Sequence, residues 1–141
     1  MTATTPAGDR GQRDRRPSIL VIEDEPGLAE VISLNLQASG FDTAIATDGL
    51  EALYALDREI PDLILLDLHL PKVSGFRLIQ LVRSREATAS VPVIVITALS
   101  FREAEEVIRA GADAFLTKPF SPDDLLAHVR HLMALRDQPT P

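Results

Sequence analysis

Residues 62–68 read Asp62-Leu63-Ile64-Leu65-Leu66-Asp67-Leu68, four consecutive large aliphatics held between two aspartates. A run apolar on both faces suits a strand covered from both sides, as in a parallel sheet sandwiched by helices. Val91-Pro92-Val93-Ile94-Val95-Ile96-Thr97 repeats the pattern, with Pro92 at its start, where a missing backbone donor is tolerated. Upstream, Ser18–Ile22 is a third β-branched strand, and Phe41–Thr47 is a less hydrophobic fourth. Ala114–Lys118 is a short fifth.

The intervening stretches have helical spacing. Residues 26–39 place Leu28, Val31, Ile32, Leu34 and Leu36 on an expected buried side, with Gly40 as the stop. Asp48 caps a helix running to about Glu59, with Leu50, Leu53 and Leu56 inward. Ser74 caps the next, which carries Phe76, Ile79 and Val82. A more charged helix spans Phe101–Ala110 and stops at Gly111. Ser121-Pro122-Asp123-Asp124 opens the last with a cap, a proline at the first position and two acids against the dipole. Leu125, Val129, Leu132 and Met133 form its apolar stripe. Five strands alternating with five helices predict an α/β fold, a (βα)5 doubly wound parallel sheet. The first, third and fourth strands read as central, so the predicted strand order is 2-1-3-4-5.

The 141 residues suffice for one such domain. Without cysteine there is no disulfide, thiolate catalysis or Cys-ligated metal. No apolar run approaches the length of a membrane span, and no secretory leader is evident, so a cytoplasmic location is expected. Residues 1–17 carry Arg10, Arg13, Arg15 and Arg16 against Asp9 and Asp14, which leaves −9 on the rest of a chain of net charge −7. That basic tail reads as a disordered leader, residues 18–136 as the domain, and 137–141 as a frayed end. The acidic body argues against direct nucleic-acid binding.

Ligands of open α/β sheets bind beyond the carboxyl ends of the strands, where strand order reverses. Those ends carry Glu23-Asp24-Glu25, Asp67, Thr97 and Lys118. Clustered carboxylates repel one another, and a divalent cation relieves the conflict; an all-oxygen site of this kind suits Mg2+. Asp67, at the end of a rigid strand, can act as a nucleophile that forms an acyl phosphate. Lys118 and a metal can supply positive charge to the phosphoryl oxygens, and Thr97 a short hydroxyl donor. Singly, each residue has a plainer reading: a helix cap for Asp24 or Glu23, a turn for Asp67, core for Phe115. The ordered set at four strand ends favours chemistry. His128 and His131 lack an acidic partner and read as a solvated helix face.

These residues resemble the receiver domain of two-component response regulators. The match lies in Glu23-Asp24 within I-L-V-I-E-D-E-P, Asp67 within D-L-I-L-L-D-L-H-L-P, Thr97-Ala98, Gly111-Ala112-Asp113 and Lys118-Pro119-Phe120. It covers about Ser18–Leu135. The resemblance implies a CheY-like, flavodoxin-like fold, with Asp67 accepting phosphate from a sensor histidine kinase or phosphotransfer protein. It implies Mg2+ on Asp24, Asp67 and the backbone carbonyl of His69, with Glu23 acting through water. It also implies a Thr97–Phe115 switch pair, Lys118 paired with the phosphoryl group, and a cis Lys118-Pro119 bond.

The expected output is a changed face on the fourth helix, fifth strand and fifth helix. That face would act on a downstream protein partner, or on an effector domain of a longer chain. Homodimerisation fits the family, but Ala114 stands where many DNA-binding members carry a second acid used in dimer contacts. The interval from Thr97 to Gly111 is slightly short for the family, and His69 and Leu99 occupy positions that tune phosphate lifetime. Two rival readings are a Mg2+-dependent aspartyl-phosphate phosphohydrolase and a non-phosphorylated, receiver-like interaction module. Neither a cap domain nor a second acid two residues after Asp67 supports the first. The intact set of five polar residues speaks against the second.

Overall fold

The computed structural model of the chain describes residues 15–98 and 101–136, with Phe101 as backbone only. Residues 1–14 and 137–141, Leu99 and Ser100 lie outside the described residues. Five strands alternate with five helices: β1 (Ser18–Ile22), α1 (Pro26–Ala38), β2 (Asp42–Ala46), α2 (Gly49–Arg58), β3 (Leu63–Asp67), α3 (Gly75–Ser84), β4 (Val93–Thr97), α4 (Phe101–Ala110), β5 (Ala114–Thr117) and α5 (Pro122–Arg136). All pairings are parallel and the order is β2-β1-β3-β4-β5, so the predicted (βα)5 sheet and its strand order are the observed ones.

Every residue of β3 and β4 is buried, because helices cover both faces. Leu20, Ile22, Ile64, Leu66, Val93 and Val95 pack on one side against Ala52 and Leu56 of α2, Leu78, Ile79 and Val82 of α3, and Val107 of α4. Ile19, Val21, Leu63, Leu65, Ile94 and Ile96 pack on the other against Ile32 and Leu36 of α1, and Leu125 and Val129 of α5. Asp48 and Ser74 cap α2 and α3 through the amides of Glu51 and Arg77. The Ser121 hydroxyl accepts from the amide of Asp124 at the start of α5. Gly40 and Gly111 turn the chain after α1 and α4 at φ of +101° and +121°, where a side chain would be strained.

Three expectations about the core are corrected. Val31 and Leu34 are 53% and 57% exposed, and α1 instead buries Ala29, Ile32, Ser33 and Leu36. Ile32 and Leu36 fill the core from the inward face of α1, and Val31 and Leu34 lie on its outward face. Ser33 shares a hydrogen bond with Thr43 of β2, and Gln37 donates to both hydroxyls, which satisfies polar groups on this side. Leu50 is likewise exposed at the start of α2. Arg15 and Arg16, read as leader, are both engaged: Arg15 pairs with Asp62 at 3.1 Å. Arg16 donates to the carbonyls of Gln37, in the last turn of α1, and of Gly40 and Phe41 just beyond it.

Candidate functional site

The carboxyl ends of β1, β3, β4 and β5 bring five predicted residues to one edge of the sheet. Glu23 follows β1 directly and is 1% exposed, while Asp24 beside it is exposed. Asp67 ends β3 and is 5% exposed. Carboxylate oxygens of Glu23, Asp24 and Asp67 all lie within 4.8 Å of one another. Two of these acids are held by the backbone: the His69 amide donates to Asp67 Oδ1 at 3.0 Å, and the Glu25 amide to Glu23 Oε2 at 3.1 Å.

Lys118 enters from the end of β5. Its Nζ lies 3.0 Å from Glu23 Oε1 and 3.4 Å from Asp67 Oδ2. One ammonium thus bridges two buried carboxylates. Burial alone would lower the Lys118 pKa, but Glu23 and Asp67 outweigh it and the value is raised. Glu23 is pushed up to about 7, first by desolvation and then by the neighbouring Asp67, against the opposing pull of Lys118 and the Glu25 amide. Its Oε1 is buried and, despite the ion-pair contact, completes no hydrogen bond among the described residues. A lysine therefore only partly compensates this cluster. The donor set fits a hard divalent cation, which takes carboxylate oxygens and water.

Thr97 closes β4 at 1% exposure, and its Oγ1 has no hydrogen-bond partner among the described residues. Phe115 pairs with Val95, two residues before Thr97 and on the same face of the sheet. Its ring is 38% exposed, so the plain-core reading is wrong. It lines an open groove with Ala104, Glu105, Ile108 and Arg109 of α4. The Lys118–Pro119 bond is cis, as the resemblance implied. His69 is in the loop after β3, with Nε2 3.8 Å from Glu103 on α4. That contact joins the loop after β3 to α4, and no local pattern could have revealed it. Lys72 in the same loop, at φ of +72°, pairs with Asp48 at 3.2 Å. Leu99, named with His69 as flanking the site, lies outside the described residues. His128 uses Nδ1 on the Asp124 carbonyl at 2.8 Å, and the three-acid cluster contains neither His128 nor His131.

No described helix is long and apolar enough to cross a membrane. A family model described as the response regulator receiver domain matches residues 19–130. The DNA-binding dual master transcriptional regulator RpaA of Synechocystis is 42% identical over 123 residues, 86% of this chain and 51% of that protein. The chain spans about half the length of the curated relatives it matches. Among solved structures, the receiver domain of the Francisella response regulator 1452 aligns with a TM-score of 0.80 and 34% identity, covering 86% of this chain and 99% of that one. The receiver domain of the sensor histidine kinase PA1611 of Pseudomonas aeruginosa, solved with a magnesium ion coordinated in its active site cleft, aligns at 0.78 and 29% identity, covering 84% and 98%. A family match over nearly all the described residues, on this sheet and with these strand-end groups, is decisive: the chain belongs to the receiver domains of two-component response regulators.

Proposed function

We propose that Asp67 is the phosphoacceptor of this domain. The observation that carries the reading is a nearly buried carboxylate, fixed by the His69 amide and set between Lys118 and two further acids. An Asp67 oxygen attacks the phosphorus of a phosphohistidine on a sensor histidine kinase or phosphotransfer protein. The P–O bond of an acyl phosphate forms as the P–N bond breaks, and the departing imidazole keeps the electron pair and takes up a proton. Lys118, already 3.4 Å from Asp67, pairs with the incoming phosphoryl oxygens, and the Thr97 hydroxyl gains the partner it lacks among the described residues.

Asp24, Asp67 and the His69 backbone carbonyl would hold Mg2+ directly, with Glu23 acting through water. When bound, the cation supplies positive charge against the three carboxylates and the phosphoryl group. Once Thr97 has turned toward the phosphoryl group, the exposed Phe115 ring moves inward behind it, because interiors leave few voids. The α4–β5–α5 face thereby changes. It acts on a downstream protein or, in a longer protein like the DNA-binding relatives, on an effector domain. Phosphate shifts this equilibrium only by favouring one arrangement energetically.

The test is intact-mass analysis after incubation with Mg2+ and a small acyl-phosphate donor. One phosphate should be added, labile in base and absent in Asp67→Asn. Steady turnover of an unrelated phosphomonoester without a trapped adduct would identify a phosphohydrolase instead. No adduct and no turnover would leave a non-phosphorylated interaction module.

A further inference from the structure

The end of α3 carries a second concentration of charge, at the opposite edge of the sheet from Asp67. Arg83, whose side chain is 23% exposed, makes five hydrogen bonds there. Nε and Nη2 donate to the Gly111 carbonyl at 3.0 and 2.8 Å, and Nη1 donates to the carbonyls of Val91 and Ala89 at 2.7 and 3.1 Å. Nη2 also reaches Asp113 Oδ2 at 2.8 Å. That same Oδ2 accepts from the Val93 amide at 2.8 Å, and the Asp113 amide donates to the Val93 carbonyl at 2.8 Å. One guanidinium therefore joins the segment entering β4 to the segment entering β5.

Beyond this anchor, β5 is held by its ladder to β4, from Ala114 against Ile94 to Thr117 against Thr97, and by the Lys118 amide on the Thr97 carbonyl at 3.0 Å. β5 has four residues, pairs with β4 alone, and buries fully only Leu116. Register is strongly specified where a face is buried and weakly where it is not. A slip of one residue would move Lys118 by about 3.3 Å and turn it to the other face of the sheet. Its contacts of 3.0 and 3.4 Å with Glu23 and Asp67 would be lost. Gly111 belongs to the same device: a Cβ there would sit 2.9 Å from Arg83 Cγ, at a backbone φ of +121°.

We propose that Arg83, through Asp113 and Gly111, is a positioning residue for phosphoryl transfer. It sets the register of β5 and so delivers Lys118 to Asp67 and Phe115 to its place beside β4. This inference rests on the phosphoacceptor reading of Asp67. The three carboxylates stand at the ends of β1 and β3, to which Arg83 makes no hydrogen bond or ion pair among the described residues, so its loss should separate metal binding from transfer.

The experiment compares wild type, Arg83→Ala and Asp113→Asn in the full chain, at a temperature where circular dichroism shows each fully folded. Mg2+ affinity is measured by titration, and the phosphorylation rate by mass spectrometry with a small acyl-phosphate donor. Cross-strand nuclear Overhauser contacts between β4 and β5 report the register. Arg83→Ala should slow phosphorylation about tenfold and change Mg2+ affinity by less than about twofold, with the native β4–β5 contacts weakened. Asp113→Asn, which keeps an acceptor for the Val93 amide, should show the same split more mildly, and it carries the test if Arg83→Ala does not fold. Wild-type rates in the folded variants, or rate and metal affinity falling together, would overturn the inference. A wild-type protein that takes no phosphate would overturn the phosphoacceptor reading instead.

Discussion

β3 and β5 carry the two residues that meet at the site, yet they are built differently. β3 lies between two strands, is buried at all five positions, and presents Asp67 from a support that cannot shift without disturbing both halves of the core. β5 is an edge strand of four residues, one of them fully buried, and it presents Lys118 and the exposed Phe115 ring. On the proposed reading, the acceptor is thus mounted on the fully buried middle of the sheet and the responding groups on its partly exposed edge. A phosphoryl group placed between them can move one side without moving the other. Bistable elements of a fold are drawn from its less stable regions for this reason.

The contrast is most easily broken in the core. Leu65→Ala, at a fully buried position of β3, should cost about 2–5 kcal/mol in urea unfolding, whereas Phe115→Ala should cost less than about 1 kcal/mol. Equal losses would mean that β5 is as rigidly packed as β3.

Glu23 sharpens the comparison electrostatically. A carboxyl raised from 4.5 to about 7 binds its proton more tightly in the folded than in the unfolded chain. Its contribution is present below pH 4.5 and is lost as pH rises through 7, on the order of 3 kcal/mol in the metal-free protein. Denaturant titrations from pH 5 to 8 should show this fall in wild type but not in Glu23→Gln, and saturating Mg2+ should offset it. Parallel pH profiles for the two proteins would show that Lys118 already neutralises the cluster.

The smallest effect on stability is expected at Thr97. Its hydroxyl has no partner to lose among the described residues, so Thr97→Ala should change unfolding free energy by less than about 1 kcal/mol. The protein should still accept phosphate but respond weakly at the α4–β5 face. Amide shifts with a non-hydrolysable phosphoryl mimic measure that response. A Phe115 region that shifts as fully as in wild type would uncouple the two residues.

Composition, period and strand-end chemistry were enough to establish the alternating elements, the 2-1-3-4-5 order and the carboxyl-edge position of Glu23, Asp24, Asp67, Thr97 and Lys118. Those features are repetitive or local, and a buried parallel strand announces itself by being apolar on both faces. Tertiary packing decided the rest. Val31, Leu34 and Leu50 fit the helical pattern yet face outward, because which side of a helix is covered is set by neighbours distant in the chain. The exposure of Phe115, the sharing of Lys118 between Glu23 and Asp67, and the Arg83 contacts with Gly111 and Asp113 join residues 28 to 95 positions apart, or depend on strand register. Such contacts leave no period in the sequence, since they exist only once the sheet has assembled.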